Sequence, residues 1–232
     1  MKKTYGKADF HVHSSIGDGI NSPFEIVDYV EHHTDLNVIA ITDHDQIKGG
    51  IIAREYALKK NYEINVIIGE EVSTLSGHLI GLFIKKRIKR YTKLIDTIKD
   101  IHGQGGICII PHPLSWLTTS LGEKAIKKIL ENKDDDVYFD AVELMGPSIA
   151  AKVTEGNARV LNEILWHLPK VAASDAHSLN GIGTCYTIFE GKTENDFFNS
   201  VKKNKTTYNG RHWTFKEHWE LFIEKLKKFK VF

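Results

Sequence analysis

The sequence predicts an α/β barrel built around a mostly parallel sheet. Three observations carry this expectation: short apolar runs alternate with helix-length segments, the chain has 232 residues, and 41% of them are hydrophobic. Alternation of this kind is the mark of βα units. The length suits one domain at the upper end of what a single core supports, and α/β barrels often reach it. There is no fixed-period repeat, no low-complexity segment and little proline, so residues 1–232 are expected to form a single domain.

The candidate strands are 8–11, 37–42, 64–68, 78–84, 106–110, 141–144, 170–173 and 186–189. Between them, helical patterns fall near 23–34, 48–60, 91–103, 122–132, 150–166 and 194–203. The first helix carries an explicit start signal: Ser22 as N-cap, Pro23 at the first helical position and Glu25 to complete a capping box. Near the end of the sequence, Phe215, Trp219, Phe222, Leu226 and Phe229 recur at helical intervals. One apolar stripe predicts a closing helix packed on the barrel; a membrane-surface helix is the alternative reading.

A net charge of +1 gives no global field toward nucleic acid or membrane. The basic run Lys85, Lys86, Arg87, Lys89, Arg90 and Lys93 is read as a solvated loop and helix start ahead of a phosphate grip. Cys108 and Cys185 form no CxxC pair and sit in apolar stretches, as small core residues do. MKKTYGKADF lacks an apolar signal region, and no apolar run is long enough to cross a bilayer. A cytoplasmic location, no membrane and no obligate protein partner are expected.

The chemistry gathers where apolar runs end. ADFHVH ends in His11 and His13, NVIAITDHD in Asp43, His44 and Asp45, INVIIGEE in Glu70 and Glu71, GICIIPHP in His112, and KVAASDAH in Asp175 and His177, while FDAVEL carries Glu143. Strand C-termini of a parallel barrel share one rim, where active sites are built. Six of the twelve His (His11, His13, His44, His78, His112, His177) fall at these points beside Asp18, Glu70 and Asp175. Crowded carboxylates and imidazoles require a counter-charge, which a divalent cation supplies. The other six (His32, His33, His102, His167, His212, His218) are read as surface or packing residues.

HVHSSIGDG, ITDHD, GEE followed by GHLIGL, PHP and SDAH together resemble the PHP (polymerase and histidinol phosphatase) family, over His11 to His177. The resemblance implies a distorted TIM-like barrel of seven βα units with three divalent metal ions. It implies that His11, His13 and Asp175 hold the first ion, with Glu70 bridging to a second completed by His78 and His112. Asp18, His44 and His177 would hold the third. Asp9, Asp43 and Ser174 are expected to orient imidazoles through their free N–H groups. Two positions depart from the family's habit: Gly17 stands where Ser is common, and Glu143-Leu144-Met145-Gly146 lacks a nearby Asn.

This reading makes the protein a phosphoric ester hydrolase in which metal-bound hydroxide attacks phosphorus. His177, Asp175 and Glu70 are the expected catalytic groups, and Arg211 and Lys152 the candidate cations for holding phosphate. The N/O ligand set suits zinc, iron or manganese. A small phosphomonoester is the favoured substrate, with short oligonucleotides as the alternative. An amidohydrolase would share the opening HxH but commonly bridges its metals with a carbamylated Lys. A non-catalytic binding module is the remaining alternative.

Overall fold

The computed structural model describes residues 3–229, with side chains described through residue 224. Nine strands form one sheet in the order β7-β6-β5-β4-β3-β2-β1-β8-β9. They are β1 (Tyr5–Val12), β2 (Val38–Ile41), β3 (Asn65–Thr74), β4 (Gly77–Leu82), β5 (Ile107–Ile110), β6 (Ala141–Met145), β7 (Lys170–Ala172), β8 (Cys185–Glu190) and β9 (Thr207–Gly210). The helices are α1 (Pro23–His33), α2 (Lys48–Lys60), α3 (Leu94–Gly103), α4 (Glu123–Leu130), α5 (Ile149–Leu161), α6 (Glu194–Lys202) and α7 (Phe215–Phe229).

The sheet curls into a nearly closed barrel. Val12 at the end of β1 bridges Ala176, just past β7, and Ala172 N–H donates to Thr187 Oγ1 of β8 at 3.0 Å. Inside lie Ala8, Phe10, Val38, Ala40, Ile67, Ile80, Leu82, Ile107, Ile109, Ala141 and Val171, joined by Phe197 and Val201 of α6. Truncating a side chain as large as Phe197 in such a core costs about 3–5 kcal/mol. Val12, Ile39, Ile41 and Val66 face the opposite way, against Ile26 and Val27 of α1 and Ala53 of α2. Strands buried on both faces read as continuous apolar runs, which is why they were visible in the sequence.

Four strand pairings break the parallel order: β4 forms an antiparallel hairpin with β3 and also runs antiparallel to β5, and β8 runs antiparallel to β1 and β9. β9 was not anticipated, because Thr-Tyr-Asn-Gly offers no apolar run. The capping box at Ser22 and Glu25 is formed as expected. The final five residues of the anticipated 150–166 helix widen into a π-turn, Asn162–Trp166.

A β-bulge in β1 matters most for the site. Asp9 pairs with Ile39 and Val12 with Ile41, so three residue steps on β1 match two on β2. Phe10 remains in the interior cluster, yet Val12 already faces the helices. The extra residue resets the alternation, so that His11 and His13, which share a face by alternation, turn to the same interior side as Phe10.

The anticipated packing of the α7 stripe is corrected. Phe215 is 82% exposed, Trp219 55% and Phe222 50%, while the side chains of Leu226 and Phe229 lie outside the described residues. Polar clamps set the start of α7 instead: Arg211 pairs with Glu217, Thr214 N–H donates to Glu217 at 2.7 Å, and His218 Nε2 accepts Ile149 N–H at 3.2 Å. No helix among the described residues is long and apolar enough to cross a membrane.

Candidate metal centre

Glu71 lies at the middle of the rim. Its Oε1 is 2.9 Å from His78 Nδ1 and 3.0 Å from His112 Nε2. Its Oε2 is 3.2 Å from His11 Nε2, 3.3 Å from His13 Nε2 and 3.3 Å from His44 Nδ1. One buried carboxylate thus touches five imidazoles, drawn from β1, β4 and the segments that follow β1, β2 and β5.

This corrects the expectation for Glu70. Along β3 the inward face runs Ile67, Gly69, Glu71, and Glu70 falls on the opposite face. There its Oε2 accepts Ile88 N–H at 2.9 Å and its Oε1 has no partner. Burial pushes its carboxyl up to about 7, against the pull of the Ile88 hydrogen bond. Glu70 therefore neither bridges the cluster nor touches its imidazoles.

Asp175 and Asp18 complete the rim. Asp175 Oδ1 lies 3.2 Å from His13 Nε2 and 3.5 Å from His11 Nε2. Asp18 Oδ2 lies 3.0 Å from His177 Nε2, and its Oδ1 is 3.5 Å from His13 Nδ1. Ligand-type atoms within 4.8 Å of one another fall into overlapping groups, among them His11–His13–Glu71, His11–His112–Asp175, His13–Asp18–His44, His13–Asp175–His177 and His44–Glu71–His78. His112 (φ 29°) and Asp175 (φ 49°) both have left-handed backbones, a strained conformation typical of functional sites.

The tautomers are set from outside. His11 Nδ1–H donates to Glu143 Oε1 at 3.0 Å, and His177 Nδ1–H to the Asp175 carbonyl at 3.0 Å. His112 Nδ1 pairs with Ser120 Oγ at 2.7 Å. In each case Nε2 is left facing the carboxylates, as in metal-ligating imidazoles. Glu143 Oε2 also accepts His112 N–H at 2.8 Å, so one carboxylate steers two imidazole-bearing residues. Glu143 and Ser120 perform the orienting role that had been expected of Asp9, Asp43 and Ser174. Asp9 instead accepts the Ser174 and Gly183 N–H groups, at 2.9 and 2.8 Å. Asp43 accepts Ser14 N–H and Oγ–H, both at 2.6 Å. These contacts tie strand ends together and do not touch imidazoles. Gly17 fits the same region, since a Cβ there would press on Asp43 Oδ1 at 3.0 Å and Asp43 Cβ at 3.2 Å.

The donor set fits divalent cations. Both ring nitrogens of fully buried His13 lack hydrogen-bond partners, although carboxylate oxygens lie 3.2–3.5 Å away. Without a metal, protons must balance the charge. Burial opposes a charged His13, but Asp175 and Glu71 outweigh it and raise its pKa to about 9. Burial likewise opposes ionised Glu71, yet His11 and the other imidazoles hold its carboxyl well below the usual range. Cations among these atoms would take over that balance.

The expected phosphate cations are elsewhere engaged or exposed. Arg211 is held by Glu217 at 2.5 Å, and Lys152 stands exposed in the first turn of α5. His32 meets Tyr62, His102 meets Asp140, His212 meets Glu155 and His218 caps α5.

An α/β barrel with imidazoles and carboxylates converging on one rim defines the class as a metal-site barrel. The chain belongs to the PHP family. A family profile described as PHP-associated matches residues 165–206. An uncharacterized protein of Methanocaldococcus jannaschii is 32% identical over 177 residues, 72% of this chain and 95% of that protein. A 5'-3' exoribonuclease of Haemophilus influenzae is 37% identical over 97 residues, 40% of this chain and 34% of the exoribonuclease. Among solved structures, a two-domain protein of Bacteroides vulgatus containing a predicted PHP-like metal-dependent phosphoesterase superposes with a TM-score of 0.70 and 20% identity. It covers 96% of this chain and 70% of that one.

Proposed function

We propose that the protein is a metal-dependent phosphoesterase acting at the Glu71 rim. The observation that carries this reading is the single Glu71 carboxylate shared by five imidazole nitrogens at 2.9–3.3 Å. We assign three ions, drawn from zinc, manganese and iron, to His11, His13, Asp18, His44, Glu71, His78, His112, Asp175 and His177. When bound, such ions supply a water of lowered pKa and positive charge for phosphoryl oxygens. The chain's own residues do the positioning. Glu143 fixes the His11 ring, Ser120 fixes His112, and Asp18 and Asp175 flank His177 on the open side of the rim.

We assign the substrate-facing role to His177 and Asp175, beside Asp18 on the open side of the rim. The Nδ1–H bond to the Asp175 carbonyl holds the His177 ring so that Nε2 faces Asp18 Oδ2 at 3.0 Å, where it would ligate an ion. Neither cysteine is suited to act as a nucleophile, because burial pushes the Cys108 thiol well up and the Cys185 thiol to about 12. A phosphomonoester is the simplest substrate for the rim. The partial likeness to an exoribonuclease supports a second reading, a phosphodiester of RNA. Purified protein supplied in turn with zinc, manganese and iron should release phosphate from monoesters or nucleotides from oligonucleotides. Amide cleavage without any phosphoester hydrolysis would overturn the proposal.

A further inference from the structure

The segment KKRIKRYTK (residues 85–93) carries six cations and no acid, in a chain whose net charge is only +1. Its placement is fixed by its backbone. Lys85 and Lys86 N–H donate to Gln104 Oε1 at 3.0 and 2.8 Å, and Ile88 N–H to Glu70 at 2.9 Å. Further on, Tyr91 N–H reaches the Ser73 carbonyl at 2.6 Å, and Leu75 N–H reaches the Thr92 carbonyl at 3.0 Å. Ile84 and Ile88 are buried beneath it, while Lys85, Lys86, Arg87, Lys89, Arg90 and Lys93 are all exposed. The strip thus climbs the outside of β3, from the end of α3 to the tip of the β3–β4 hairpin.

That tip adjoins the metal centre. His78 pairs with Ser73 across the hairpin, and Arg90 Nη1 lies 4.0 Å from Asp45, the neighbour of His44. Among the described residues this is the ion pair on the strip, so most of its charge is uncompensated. On the other side of the tip runs the loop that follows His112, with the Thr119 carbonyl accepting His78 N–H at 2.9 Å. The strip and this loop each present an exposed aromatic ring, Tyr91 at 61% and Trp116 at 73%. Cations that follow a chain of phosphates, interleaved with rings on which bases stack, form the arrangement that binds single-stranded nucleic acid.

We infer that residues 85–93 seat the sugar–phosphate chain of a short single strand whose scissile phosphoester reaches the Glu71 rim, with Tyr91 and Trp116 stacking its bases. The inference rests on the phosphoesterase reading and names the class of its substrate. Arg90 holds the phosphate nearest the rim, and Lys89, Arg87 and Lys86 hold those further out. The basic run is then a substrate track, not a solvated loop.

Metal-loaded full-length protein is assayed with p-nitrophenyl phosphate and with a 5'-phosphorylated single-stranded hexanucleotide; a fluorescent hexanucleotide reports binding by anisotropy. The hexanucleotide should bind, with affinity falling as salt rises by about 0.7 log per log salt for each phosphate held. Lys89→Gln with Arg90→Gln should raise its KM at least tenfold relative to that of p-nitrophenyl phosphate, and flatten the salt slope. Trp116→Ala should weaken hexanucleotide binding about fivefold or more, without changing the slope. Equal KM changes for both substrates, or anisotropy indifferent to all three substitutions, would overturn the inference. So would a wild-type protein that cleaves p-nitrophenyl phosphate but does not bind the hexanucleotide. Binding without hydrolysis of either substrate would instead reject the phosphoesterase reading and leave the strip's role standing.

Discussion

Glu70 and Glu71 are neighbours in β3, yet their carboxylates lie on opposite faces of the sheet. Glu71 meets five imidazoles inside the rim, and Glu70 receives the Ile88 N–H outside it. The pair separates a role in the metal centre from a role in holding the 85–93 segment. Glu71→Gln should abolish turnover and strip the protein of bound metal, measured by phosphate release and elemental analysis. Glu70→Gln should retain metal and hydrolyse p-nitrophenyl phosphate within about threefold of wild type, because its hydrogen bond goes to the Ile88 N–H of the 85–93 segment and not to the metal centre. The reverse pattern would return the bridging role to Glu70.

Glu143 orients His11 and receives the His112 N–H. Glu143→Ala should therefore lower metal affinity about 10–100-fold without removing any ligand. Competition against a chelator of known affinity measures it. An unchanged affinity would show that packing alone orients the two imidazoles.

Much of this site was legible because ligand-type residues followed apolar runs, as at His11, His13, His44, His112, Asp175 and His177. Parity within a strand was not legible. Asn-Val-Ile-Ile-Gly-Glu-Glu is apolar on both faces, so nothing in it marks which glutamate points inward. The β1 bulge was hidden for the same reason. Glu143 stood in view at a strand end, but its work depends on Nδ1 of a residue 132 positions away. The expected packing of α7 failed because helical spacing reports a stripe and not its partner. The place of the 85–93 strip beside the rim follows from the β3–β4 hairpin; successive strands at 64–68 and 78–84 were expected with no helix between them, but their antiparallel pairing was not.

The outer His residues separate stability from chemistry. His218→Ala removes the acceptor for Ile149 N–H at the start of α5. It should cost about 0.5–1.5 kcal/mol in urea unfolding, while turnover stays unchanged. His32→Ala, at an exposed contact with Tyr62, should change neither. A His218→Ala protein as inactive as His11→Ala would place His218 in the site.

The clamp at the start of α7 should titrate. The Arg211 hydrogen bond, against a small burial cost, lowers the Glu217 carboxyl from its ordinary 4.5 to about 2. A depressed folded pKa contributes stability above the unfolded value, and that contribution is lost as pH falls through the folded one. The Tm difference between wild type and Glu217→Gln should be constant above pH 5, shrink below about 4.5 and vanish near 2. A difference independent of pH would show that Arg211 does not stabilise the carboxylate.

A direct displacement by solvent is expected, since the Ser120 hydroxyl beside His112 Nδ1 is engaged in orienting that ring and burial holds both cysteine thiols protonated. Hydrolysis in isotopically labelled water should put one solvent oxygen into the phosphate released in the first turnover, with inversion at a chiral phosphorus. Retention would require two displacements and a nucleophile not yet identified.

The most direct test of the metal-dependent phosphoesterase account is metal content measured alongside turnover in the same preparations. Wild-type protein is titrated with zinc, manganese or iron, bound metal is counted by elemental analysis, and phosphoester hydrolysis is followed at each step. The account predicts up to three ions per chain, hydrolysis that rises with loading, and loss of both in Glu71→Gln. Saturation at a single ion, or phosphoester hydrolysis by chelator-stripped protein at the metal-loaded rate, would contradict it.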